Sequence, residues 1–241
     1  MTYINQYNQY TDPAKYDERN KSLPIERYIQ DLWVPKLKHY LKNFINKDTT
    51  ICDLGCGTLE HTRFMGKARK IYAVDCNQTM LDYGKHKIEN FKDKVNVLCN
   101  DALNTTLPNN VCNIVWTVGL TEYVSVENLF EEINRILHSG GYLLIQFPNQ
   151  FHPYHLAVSI RHLIFRNHSK KYSSLMTIKN AASKYNFQIV EICSLGVYMP
   201  LPRQNWHKYF LPLWRIIDWF CRPLQRFFPI GANVFCVFKK Y

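Results

Sequence analysis

From residue 50 onward, short apolar runs alternate with stretches whose apolar residues recur every three or four positions. The runs at 51–54, 71–74, 95–99, 114–118, 142–147, 187–194 and 233–239 are bounded by turn-forming residues, which predicts strands. The segments 60–68, 79–90, 125–137, 156–165 and 177–185 predict helices. Asp75-Cys76-Asn77 can cap the second of these, Ser125 can cap the third, and Ser139-Gly140-Gly141 can end the third. Upstream, Ile25, Tyr28, Trp33, Leu37, Tyr40 and Phe44 share one helical face, and Pro35 predicts a break into two helices. Strand–helix alternation of this kind predicts an α/β fold, doubly wound around a parallel sheet.

The ends of the predicted strands carry the chemistry. After the first comes Asp53-Leu54-Gly55-Cys56-Gly57-Thr58, where two glycines make a tight turn into the next segment. Such a turn lets a ligand approach the backbone closely and can cradle a nucleotide. Asp75 ends the second strand, 22 positions after Asp53, a spacing that suits an acceptor for ribose hydroxyls. Asp101 and Ala102 follow the third strand, and Val118 ends the fourth. Acidic groups in such places can read the hydroxyls and exocyclic amine of a nucleoside. Beyond the fifth strand, His152 and His155 are the general-base candidates, since imidazole titrates near neutral pH. The competing reading makes them loop histidines with ordinary hydrogen bonds.

These motifs, taken with Glu132-Ile133-Asn134-Arg135-Ile136-Leu137, Gly140-Gly141-Tyr142-Leu143-Leu144-Ile145 and Pro148-Asn149, occur in an order and spacing that resembles the class I S-adenosylmethionine-dependent methyltransferases. The likeness is to their small-molecule branch, which includes the quinone-biosynthesis (type 11) enzymes, and it covers roughly residues 51–149. It implies a Rossmann-like seven-stranded sheet whose last strand is antiparallel and lies at the edge beside the sixth. It also implies an N-terminal helical lid, and S-adenosyl-L-methionine as cofactor. By this resemblance Asp53, Gly55 and Gly57 hold the methionine end and the turn, and Asp75 holds the ribose. Cys76 meets the adenine face through its backbone, Asp101 and Ala102 meet the adenine edge, and Val118 forms a floor. Tyr16 and Arg19 of the lid would meet the cofactor's carboxylate. The chain departs from the family at Leu59, where a third glycine is usual, and at Tyr123, where histidine is frequent. A side chain at 59 is expected to narrow the approach to the methionine end.

Composition adds to this picture. A chain of 241 residues is ample for one domain, divided here into lid and helices (1–48), cofactor-binding core (49–149) and substrate side (150–241). A net charge of +11 favours anionic partners, although the lysines are dispersed. Eight cysteines without a CxxC pair read as reduced thiols of a cytoplasmic protein. The N-terminus has no signal-peptide pattern, and no apolar run reaches the ~20 residues of a membrane span. Residues 199–230 form an atypical insertion before the last strand, with Trp206, Trp214, Trp219 and Phe220 interspersed with Lys208, Arg215 and Arg222. It suits a peripheral membrane contact, a hydrophobic substrate, or a helical cap on the domain's own core.

The expected function is methyl transfer to an oxygen or carbon of a small acceptor that is hydrophobic, lipid-linked or glycan-linked. Thr117-Val118-Gly119-Leu120 stands where the family's amine-methylating branch carries a Pro-Pro-aromatic motif, which argues against a nucleic-acid substrate. The alternative is a non-catalytic nucleic-acid- or membrane-binding protein on the same scaffold, favoured by charge and opposed by the retention of both Asp75 and Asp101.

Overall fold

The computed structural model describes residues 12–165, 172–199, 201, 206–225 and 228–241, and of Asn20 and residues 161–165 only the backbone. The first eleven residues of the expected lid, and parts of the 199–230 insertion, lie outside the described residues. Seven strands form one sheet: β1 (Thr50–Leu54), β2 (Lys70–Asp75), β3 (Val95–Cys99), β4 (Cys112–Val118), β5 (Leu137–Pro148), β6 (Phe187–Leu195) and β7 (Asn233–Lys240). Their order is β3-β2-β1-β4-β5-β7-β6. The first five are parallel, and β7 runs antiparallel to both β5 and β6. The last strand is therefore antiparallel, but it sits inside the sheet and β6 forms the edge. The reason is legible in burial: the first six residues of β7 are all buried, whereas β6 exposes Ile189 and Val190.

Among the described residues, seven α-helices surround the sheet: α1 (Pro13–Ser22), α2 (Pro24–Phe44), α3 (Gln78–Gly84), α4 (Val126–Ile136), α5 (Pro153–Phe165), α6 (Leu175–Lys184) and α7 (His207–Gln225). Alternate residues of the central strands feed opposite faces. Cys52, Val115, Leu143 and Cys236 pack with Phe130 and Ile133 of α4 and with Ile178 of α6. Ile51, Trp116, Leu144 and Phe235 pack with Trp33, Leu37 and Tyr40 of α2. Both faces are apolar, so the strands read as unbroken hydrophobic runs.

Three expected elements come out differently. Helix α2 passes through Pro35 without a break, because Trp33 and Leu37 on either side are buried in the same cluster. Residues 60–68 form no α-helix, only a 3-10 turn at Thr62–Phe64. There Leu59 takes a left-handed φ of 58°, Thr62 turns its hydroxyl to Asp53, and His61 packs on Trp33, so tertiary contacts override the local pattern. The segment after Asn77 is α-helical only to Gly84 and then continues as a 3-10 run, Lys85–Lys94. Asn77 does cap α3, accepting from the Met80 amide at 3.2 Å, and Ser125 caps α4. All eight cysteines are free thiols.

Candidate active site

The glycine turn closes over the carboxyl ends of β1 and β2. Amides of Gly55 and Cys56 donate to the Val74 carbonyl at 2.8 and 3.1 Å. The Asp75 carboxylate accepts from the Gly57 amide at 2.8 Å and from the Asn77 amide at 2.9 Å, so it braces the turn as well as facing the space beyond it. Gly55 has φ 77°, and a Cβ there would meet the Leu120 side chain at 3.2 Å. Beneath the turn, Asp53 is buried and accepts from the Thr62 hydroxyl at 2.5 Å. Burial pushes its pKa up to about 7, Asp75 adds to the push, and the Thr62 hydrogen bond opposes it.

Leu59 corrects an expectation. Its side chain is fully buried and packs with Cys56, Ala73, Leu81 and Ile88, away from the turn's open side. It does not narrow the cradle. Its φ of 58° is left-handed backbone, which glycine takes without strain and leucine does not.

A cavity of about 910 Å³ opens over the turn. Of the residues singled out from sequence, Tyr16, Gly55, Gly57, Asp75, Cys76, Ala102, Val118 and His155 line it together. Arg19 of α1 lines it too. Asp53, Asp101 and His152 are not among its lining residues. Asp101 instead accepts from the Leu103 amide at 2.8 Å and shapes the loop that presents Ala102. At the far end the wall turns aromatic, with Tyr154, Tyr172 and Tyr198 around His155.

The two histidines separate into different roles. His155 donates from Nδ1 to the Asn149 carbonyl at 2.9 Å and stacks on Tyr172 with ring centroids 4.5 Å apart. A carbonyl can only accept, so the tautomer is fixed and Nε2 is the basic nitrogen. His152 is buried behind it, and its Nδ1 accepts from the Tyr154 amide at 3.3 Å. Burial, helped by His155, pushes its pKa down to about 3, so it stays neutral. Asn149 anchors this corner, donating from Nδ2 to the Gly231 carbonyl at 3.0 Å.

Sequence reasoning missed a buried polar network on the lid side. Asp17 of α1 accepts from the Thr58 hydroxyl at 2.6 Å and pairs with Lys87, which also meets Glu60 at 3.0 Å. These partners are 41 and 70 positions away from Asp17, and no local pattern joins them. His61 was missed as well. It lines the cavity edge-on to Trp33 at 4.5 Å, and burial, with Arg63 and Lys87 nearby, pushes its pKa down to about 3.

Comparison with known proteins bears on the family and the fold. Residues 52–145 match the family described as a methyltransferase domain. Over 142 residues the chain is 30% identical to a carboxy-S-adenosyl-L-methionine synthase of Hydrogenovibrio crunogenus. That match spans 57% of this chain and 57% of the relative's length. Among solved structures, an S-adenosylmethionine-dependent methyltransferase from Thermotoga maritima superposes with a TM-score of 0.69 at 14% identity, covering 99% of this chain and all of that one. Geranyl diphosphate C-methyltransferase from Streptomyces coelicolor superposes with a TM-score of 0.60 at 16% identity, covering 86% of this chain and 79% of that one. At these identities the structures speak for the fold. The family match over residues 52–145, the sheet order and the glycine cradle all accord with a class I S-adenosylmethionine-dependent methyltransferase.

Proposed function

We propose that this protein transfers a methyl group from S-adenosylmethionine to an oxygen or carbon of a small hydrophobic acceptor, free or carried on a lipid or glycan. The observation that carries this reading is the continuity of the cavity, which joins the glycine cradle to the aromatic chamber around His155. Its volume is near the upper end of the ~300–1,000 Å³ range of small-molecule sites, enough for a nucleoside cofactor beside an acceptor.

The residues fit the cofactor. Gly55 and Gly57, with φ of 77° and 51°, line the cavity with backbone alone, and the Asp75 carboxylate beside them is of the type that accepts from ribose hydroxyls. Cys76 and Ala102 would flank the adenine, Val118 would form the floor, and Tyr16 and Arg19 reach in from α1. When bound, S-adenosylmethionine supplies an electrophilic methyl on its sulfonium. The protein's own part is chiefly positioning, since holding the acceptor atom in line supplies most of what such a displacement needs. His155, which lines the cavity with its ring held by Asn149 and Tyr172, is the residue assigned to take the acceptor's proton. Tyr154, Val158 and Tyr198 give the chamber an apolar wall.

The test is transfer of labelled methyl from S-adenosylmethionine into organic-extractable acceptors. Label is expected in the apolar fraction, with His155→Ala lowering turnover by about 10²–10⁴ while cofactor affinity holds. Label confined to nucleic acid, or to water-soluble products that carry neither an apolar group nor a glycan, would contradict the proposed acceptor class.

A further inference from the structure

Helix α7 is turned inside out relative to an ordinary surface helix. Its inward side carries His207, Asp218 and Gln225, all buried. Asp218 accepts from the Gly196 and Val197 amides at 3.1 and 3.3 Å and from Gln225 at 3.0 Å, which fixes the helix's rotation. Trp214 packs with Tyr28 and Tyr198 on the same side. The outward side carries Tyr209, Leu213, Ile216, Trp219, Phe220 and Leu224. Tyr209, Trp219 and Phe220 are 71%, 60% and 69% exposed, so the most water-averse part of the helix faces outward. Lys208, Arg215 and Arg222, seven positions apart, form an exposed row along one flank of this stripe, and the helix's one acidic residue, Asp218, is buried and meets Arg222 at 3.8 Å.

We propose that α7 docks this protein on an anionic lipid bilayer, lying in the plane of the interface with its aromatic stripe in the acyl boundary and its cations among the headgroups. Trp and Tyr favour that boundary because they join a large apolar body to a polar group. The cations and a net charge of +11 complement anionic lipid. They also disfavour a second copy, since a two-fold pairing would bring the cations of both copies to one face. No helix among the described residues is long and apolar enough to cross a membrane, so α7 rests on the bilayer rather than spanning it.

The helix also flanks the cavity. Arg215 reaches Asp31, a cavity residue, at 3.6 Å, and His207 meets the ring of Tyr198, another cavity residue, at 5.9 Å. Docking would therefore bring the acceptor chamber to the lipid surface. This last point rests on the proposed acceptor class, whereas the docking itself does not.

The experiment is flotation of the full chain with phosphatidylcholine vesicles, and with vesicles in which roughly a third of the lipid is phosphatidylglycerol. Co-flotation with the anionic vesicles and a blue shift of tryptophan emission are expected. Trp219→Ser combined with Phe220→Ser should lower partitioning at least about tenfold, and Lys208→Gln combined with Arg215→Gln about fivefold per cation removed. Unchanged melting and unchanged S-adenosylmethionine titration in both variants would show that only the surface was altered. No flotation, flotation indifferent to the aromatic pair, or a dimer abolished by that pair would overturn the proposal. Failure of cofactor binding with flotation intact would sink the methyl-donor reading and leave the docking standing.

Discussion

Asp53 sets the pH response of this molecule. Its folded carboxyl keeps a proton up to about pH 7, whereas an exposed aspartate loses it near 3.9. Between those values the folded state binds more protons than the unfolded one, so stability falls as pH rises through the window, by at most on the order of 4 kcal/mol. His61 and His152 act in the opposite sense. They stay neutral in the fold down to about 3 but gain a proton in the unfolded chain near 6.5, so stability is lost as pH falls from about 6.5. Denaturant midpoints across pH should therefore peak near pH 6.5. Asp53→Asn should flatten the alkaline side and move the peak upward, and an unchanged profile would contradict the buried, protonated carboxyl. At this scale the sequence was informative for Asp75 and Val118, strand-end residues that line the cavity, but not for Asp53 and Asp101, which do not. It was silent on Asp17 and Lys87, which acquire meaning only through a contact 70 positions apart.

Helix α3 bears directly on the glycine turn. A Cβ at Gly84 would lie 2.4 Å from the Thr58 carbonyl oxygen, and backbone cannot yield cheaply there. Gly84→Ala should therefore destabilise by about 1–3 kcal/mol and weaken cofactor binding, although Gly→Ala within a helix normally stabilises. Melting temperature and a cofactor titration on the variant check both parts. A variant as stable as wild type, with full affinity, would mean that the turn does not depend on this close approach. The elements that local pattern missed fail for related reasons. Pro35 was expected to end a helix that burial carries through on both sides, and residues 60–68 were expected to be helical where Leu59, His61 and Thr62 are claimed by long-range contacts. The strands were legible because both sheet faces are covered, which leaves unbroken apolar runs. The place of β7 between β5 and β6 was not, because an apolar run does not say which neighbours it will have.

Across the whole molecule, the buried pair Lys87–Asp17 ties the N-terminal helix to the cofactor turn, with Thr58 and Glu60 completing the network. Lys87→Met would leave the Asp17 carboxylate buried without its cation, a loss of about 3–5 kcal/mol for pairs of this kind. The expected outcome is faster hydrogen exchange over Pro13–Ser22, with the sheet still protected, and weaker cofactor binding. Equal protection of α1 in both proteins would show that the helix is held by other contacts. The sequence predicted helices before β1 and an aromatic insertion before β7, but it could not orient them. Which side of α7 faces inward follows from the hydrogen bonds of Asp218, and these join segments that are 21 and 22 positions apart.

The central claim is that the cradle around Gly55, Gly57 and Asp75 binds S-adenosylmethionine. It is tested most directly by isothermal titration with S-adenosylmethionine and S-adenosylhomocysteine, on wild type and on Asp75→Ala. Micromolar binding of both ligands is predicted, weakened by about 1–3 kcal/mol in the variant, where ribose acceptors and the brace on Gly57 are lost together. An absence of heat and of thermal shift with either ligand would contradict the account.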